Sequence, residues 1–164
     1  MESRHEELMK SYFEEKDISR RAAILKRLVL DAPVHAKDFF LNAFKKERCL
    51  DMKLSAVRGY AVYAAEEEVS ILMNKLLELL KKRPEKTPYN YMEYEPMRSV
   101  FLMPYLLEHY DYECFRIFDT QLQKQYEDMP NCFKGIFTLD AFGNVCSLRD
   151  REEVEKSWRD FWGR

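Results

Sequence analysis

The run CLDMKLSAVRGYAVYAAEEEVSILMNKLLELL, residues 49–80, leaves a chain little choice but to form helices. Leu54, Val57, Tyr60 and Ala61 recur at steps of three and four, and so do Val69, Leu72, Met73, Leu76, Leu77 and Leu80. Such steps line apolar side chains along one face of a helix. Between the stripes stands Glu66-Glu67-Glu68. Carboxylates suit the positive end of a helix, so the triplet marks a helix start better than a carboxylate site. Two striped helices with a short joint make a hairpin, and the flanking segments repeat the design.

Composition agrees. Glycine is scarce, at four residues, while Leu, Lys, Glu, Arg and Ala abound. That balance favours helix over sheet. The chain has 164 residues, enough for one self-sufficient core. Its net charge of −2 does not demand an anionic partner. No window approaches the roughly 18 apolar residues of a membrane span. The start, MESRHEELMKSYFEEK, lacks the apolar core of a signal peptide. Cys49, Cys114, Cys132 and Cys146 show no CxxC spacing and no histidine at zinc spacing. Free thiols in a reducing cytoplasm follow, with no cofactor and no metal.

Along the chain, Leu8, Met9, Tyr12 and Phe13 stripe a first helix over about residues 2–15. Asp17 is a natural N-cap for a second, which carries Ile18, Ala22, Leu25, Leu28 and Val29. Phe39, Phe40, Ala43 and Phe44 stripe a third. Asp51 opens the fourth, where Gly59 implies close contact with a neighbouring helix. Residues 83–95 read as a long irregular loop. MRSVFLMPYLLEHY is helical in pattern and should kink at Pro104. Tyr112, Phe115, Ile117, Phe118, Leu122 and Tyr126 form a further helix, ending near Pro130. Phe137–Leu139 and Val145–Leu148 flank a turn sequence and read as a β-hairpin. Asp150 then caps a closing helix striped by Val154, Trp158, Phe161 and Trp162.

Asp51 with Ala56-Val57-Arg58 resembles the second helix of a HEAT repeat. In that family an Asp near the helix start and a later Arg bridge successive repeats. The likeness covers about residues 50–80 and extends weakly to 17–48 and 96–127. It implies a HEAT-like stack of antiparallel helical hairpins, from which the Pro104 helix, the loop at 83–95 and the terminal hairpin depart; the expected fold is all-α, that stack with a small C-terminal β-hairpin and closing helix. Residues 1–130 would be the helical-repeat part, with 131–164 packed on it as one structural domain.

No catalytic constellation emerges. His109 lies among Glu108, Tyr110, Asp111 and Glu113, but adjacent helical residues diverge, so it reads as a solvated helix end. The basic set Arg20, Arg21, Lys26, Arg27, Lys45, Lys46 and Arg48 could line a phosphate-tracking edge. Interspersed acids and the lack of alternating aromatics favour a solvated face. The densest oddity is Tyr89, Asn90, Tyr91, Glu93 and Tyr94. Tyrosines offer large contact area with a polar tip, so these five are the candidate partner-binding residues. The same tyrosines could instead fold back over helix ends.

The expected function is a non-enzymatic protein-binding module whose partner is another protein, with no membrane association. In size and acidity the chain is similar to bacterial immunity or adaptor proteins, which occlude a partner's active surface. A nucleic-acid binder using the basic edge of residues 20–48 is the alternative. An enzyme of unrecognised type is a third.

Overall fold

A computed structural model describes residues 3–83, 90–135, 137–140, 145–148 and 150–163. The chain is mainly α-helical, as the stripes imply. It divides into two compact units, Met1–Leu72 and Met73–Arg164. The boundary at 130/131 drawn from the sequence falls inside the second unit.

The first unit holds α1 (Arg4–Glu14), α2 (Ile18–Asp31), α3 (Lys37–Lys46), α4 (Leu50–Ala61) and the first turns of α5 (Glu66–Lys81). Side-chain caps fix the starts of α1 and α2. Ser3 accepts from the Glu6 amide at 3.1 Å and Asp17 from the Arg20 amide at 3.0 Å. Each satisfies an amide that the first turn leaves without a helical partner. The centre is α4, which packs against α3 and α2. Leu50, Leu54, Ala56 and Val57 on α4 are fully buried. A Cβ at Gly59 would clash with the Phe40 ring, so the hydrogen there is what allows α3 and α4 to approach.

Glu68 explains the acidic joint. It accepts from the Ala65 amide at 3.1 Å, closing the first turn of α5. It also pairs with Lys37 at 2.9 Å and accepts from the Tyr60 hydroxyl at 3.4 Å. Those contacts hold its carboxyl below the usual range, the Lys37 hydrogen bond foremost. On α5 itself, Val69, Leu72, Met73, Leu76 and Leu80 are buried and Leu77 is half-buried.

The second unit comprises the rest of α5, then α6 (Tyr91–Met97), α7 (Met103–His109), α8 (Glu113–Asp128), a 3-10 turn at Asn131–Phe133, strands β1 (Phe137–Leu139) and β2 (Val145–Leu148), and α9 (Arg151–Trp162). Two expectations are corrected here. Residues 91–95 are helical and not loop, because Asn90, Tyr94 and Met97 fall at helical spacing on one buried face. Pro104 does not kink a helix. The chain breaks at 98–102, and Pro104 sits in the first turn of α7, where a missing amide hydrogen costs nothing.

β1 pairs antiparallel with β2, Phe137 opposite Leu148 and Thr138 opposite Ser147, with an irregularity between Thr138 and Leu139. Asp150 caps α9 by accepting from the Glu152 amide at 3.1 Å. α9 packs on the 3-10 turn, where Phe161 meets the buried Phe133 edge-on at 5.1 Å. Trp162, in the same apolar stripe of the sequence, meets Phe161 edge-on at 4.9 Å and stays half-exposed.

Candidate interaction surface

The tyrosine-rich stretch is placed differently from its sequence reading. Tyr89 lies outside the described residues. Tyr91 is the first residue of α6. Asn90 and Tyr94 are buried. The Tyr94 hydroxyl accepts from Gln125 Nε2 at 2.8 Å, and the same amide nitrogen donates to the Leu80 carbonyl at 2.9 Å. That carbonyl lies in the last turn of α5, where regular helical donors run out, and it takes the Arg83 amide at 3.1 Å and the Gln125 side chain together. Glu93 is half-buried and accepts from both Nε and Nη2 of Arg83, at 3.3 and 3.2 Å. Asn90 and Tyr94 are therefore corrected from partner-binding to interior residues. A ring with no exposed surface cannot anchor a partner while α6 stays folded.

A second knot ties α6 to its surroundings. Glu95 accepts from the Tyr126 hydroxyl at 2.9 Å and the Gly135 amide at 2.6 Å. Arg98 lies over the Tyr126 ring, 3.7 Å from its centroid, and donates to Gln123 at 3.3 Å. Burial, and then the Glu95 carboxylate, pushes the Tyr126 phenol above its ordinary range. These groups satisfy one another, which fixes α6 against α8 and offers no poised acid or base.

What the second unit does present is an open groove of about 300 Å³ between α5 and α8. Leu77 and Ile117 give it apolar surface, Thr120 and Gln121 one polar side, and Lys81, Glu113 and Arg116 charge. Ile117 is 48% exposed. Sequence periodicity placed it in the buried stripe of α8, but Phe115, Phe118 and Leu122 form that stripe, and a residue two steps from Phe115 projects elsewhere. Arg116 is forked between Asp111 at 2.5 Å and Glu113 at 2.8 Å. Those hydrogen bonds raise its guanidinium pKa, that from Glu113 most. An apolar strip bordered by paired charge can cover another surface; it holds no nucleophile beside a base.

Among the described residues no group of three or more His, Cys, Asp or Glu is placed to hold a metal ion. His109 is exposed, stacks on Tyr105 at 3.8 Å between ring centroids, and meets the Tyr105 carbonyl through Nδ1 at 2.9 Å. Among them too, no helix is long and apolar enough to cross a membrane.

In the first unit the basic edge is broken up. Arg21 is turned inward, its fork closing on Glu47 at 2.8–3.0 Å. Glu47 is only 2% exposed and also accepts from the Tyr12 hydroxyl at 2.9 Å. Burial first, then the Glu47 charge, pushes the Tyr12 phenol far above its ordinary range. Arg27 is paired with Asp31 at 2.8 Å. Arg20, Lys45, Lys46 and Arg48 remain exposed. Nothing local signals the Glu47 node, because Lys45-Lys46-Glu47-Arg48 has the look of a solvated charge run.

Comparison with protein-family models, with curated proteins and with solved structures returns no match.

Proposed function

We propose that the chain is a non-enzymatic protein-binding module, of the immunity or adaptor kind, that works in the cytoplasm by covering a partner's active surface. The HEAT-like stacking of hairpins belongs to the same proposal. One observation carries the reading: the open groove between α5 and α8, with Leu77 and half-exposed Ile117 beside the charges of Lys81, Glu113 and Arg116. Interfaces commonly combine an apolar centre with a charged margin that sets register and on-rate. This moves the binding face from the tyrosines of α6 to the outer side of α8. The mechanism is occlusion: Ile117 and Leu77 lose water to the partner, while Lys81 and Glu113 orient it.

The test is affinity capture from the native host with three versions of the full chain. Wild type and Tyr94→Phe should retain the same protein. Ile117→Asp should weaken its binding about thirtyfold or more, the size of a hot-spot loss. Retention by Ile117→Asp refutes the groove. Loss of binding on nuclease treatment, with steep salt dependence, shifts the reading to nucleic acid through residues 20–48.

A further inference from the structure

We infer that α1 is a strap that opens as a unit of its own, with the Tyr12 hydroxyl on Glu47 as its clasp. The first observation is how little of α1 is inside. Among Arg4–Glu14 only Tyr12 is fully buried, with His5, Leu8 and Met9 half-covered. By contrast α4 buries nine residues of twelve. Elements with few buried apolar contacts open below the global unfolding free energy.

The second observation concerns what α1 leaves behind. Its hydroxyl tether lands on Glu47, and its imidazole tether, His5 Nε2, meets Asp31 at 3.1 Å. Each carboxylate already holds an arginine from α2: Arg21 on Glu47 and Arg27 on Asp31. Opening α1 therefore strands no charge. Arg21 and Glu47 keep their fork, and the carboxylate gains water in place of one phenol. An unpaired buried charge, the usual barrier to detaching such a helix, does not arise.

What resists opening is aromatic burial. Tyr12 and Phe13 meet Phe39 edge-on at 5.3 and 5.5 Å. Phe13 is itself 41% exposed. An opened α1 uncovers Phe39 beside a ready-made Arg21–Glu47 pair, a face distinct from the α5–α8 groove and independent of the proposed function.

Hydrogen exchange on the full chain tests this. Amides of residues 8–14 should exchange at least a hundredfold faster than those of 54–61, with a much shallower dependence on denaturant. Tyr12→Phe keeps the ring and removes the clasp. It should speed exchange in 8–14 by about tenfold more, the usual worth of one hydrogen bond to a charged group. Equal rates and equal denaturant slopes in wild type for the two segments would overturn the inference, whether or not the variant folds. So would a Tyr12→Phe variant in which 8–14 exchange no faster than in wild type.

Discussion

Among the described residues each unit has a completely buried tyrosine whose hydroxyl meets a buried polar side chain, yet the two solutions are opposite. In the first unit Tyr12 donates to a carboxylate, and Arg21 must turn inward to balance the charge. In the second, Tyr94 accepts from the neutral amide of Gln125. Gln125 spends its nitrogen on Tyr94 and Leu80 and its oxygen on Gln121 Nε2, at 2.7 Å. An amide satisfies itself within its own neighbourhood. A buried carboxylate recruits a cation from another helix. The charged node thus joins three segments, α1, α2 and the end of α3, whereas the neutral one pins α6 and α8 to the last turn of α5.

The comparison predicts unequal responses to losing one member. Arg21→Leu leaves Glu47 buried with only a phenol, and should cost about 3–5 kcal/mol in denaturant unfolding. Adding Glu47→Leu should restore part of that loss, since apolar replacements of an ion pair are often neutral, while the buried Tyr12 hydroxyl loses its acceptor. Failure of the double variant to recover would mean that Arg21 matters for packing and not for charge. Gln125→Leu removes one donor each from the Leu80 carbonyl, which keeps the Arg83 amide at 3.1 Å, and from the Tyr94 hydroxyl, and should cost about 1–2 kcal/mol, with no rescuing charge change.

Alkaline pH separates the nodes more finely. The folded pKa of Tyr12 is raised, so the native state keeps a phenol proton that the unfolded chain releases near pH 10. Stability from this group is complete below that pH and falls as pH rises, by up to about 1.4 kcal/mol per unit, because the unfolded state then binds fewer protons. Tyr12→Phe should flatten the alkaline limb of a stability–pH curve. An unchanged slope in that variant would place the titration on other tyrosines.

Regular elements were legible because their cause is local. The stripes of α4 and α5 place Leu54, Val57, Leu72 and Leu76 inside. Asp17 caps α2 through its own side chain, and Gly59 marks the contact with Phe40. The features missed depend on distant partners or on amphipathic residues. The inner face of α6 and its cap is Asn90, Tyr94 and Met97, an amide and an amphipathic ring among them. Glu47 meets an arginine 26 residues earlier in the chain. Ile117 is apolar and helical, but out of phase with the stripe that packs. The groove was invisible for that reason: it is made of a residue that breaks the pattern.

Hydrogen exchange of the chain with its captured partner bound bears most directly on the claim that α8 carries the interface. The account predicts protection on binding in residues 74–81 and 113–121, with 90–98 unchanged. Protection confined to 90–98 or to 20–48, with α8 exchanging as in the free chain, would contradict it.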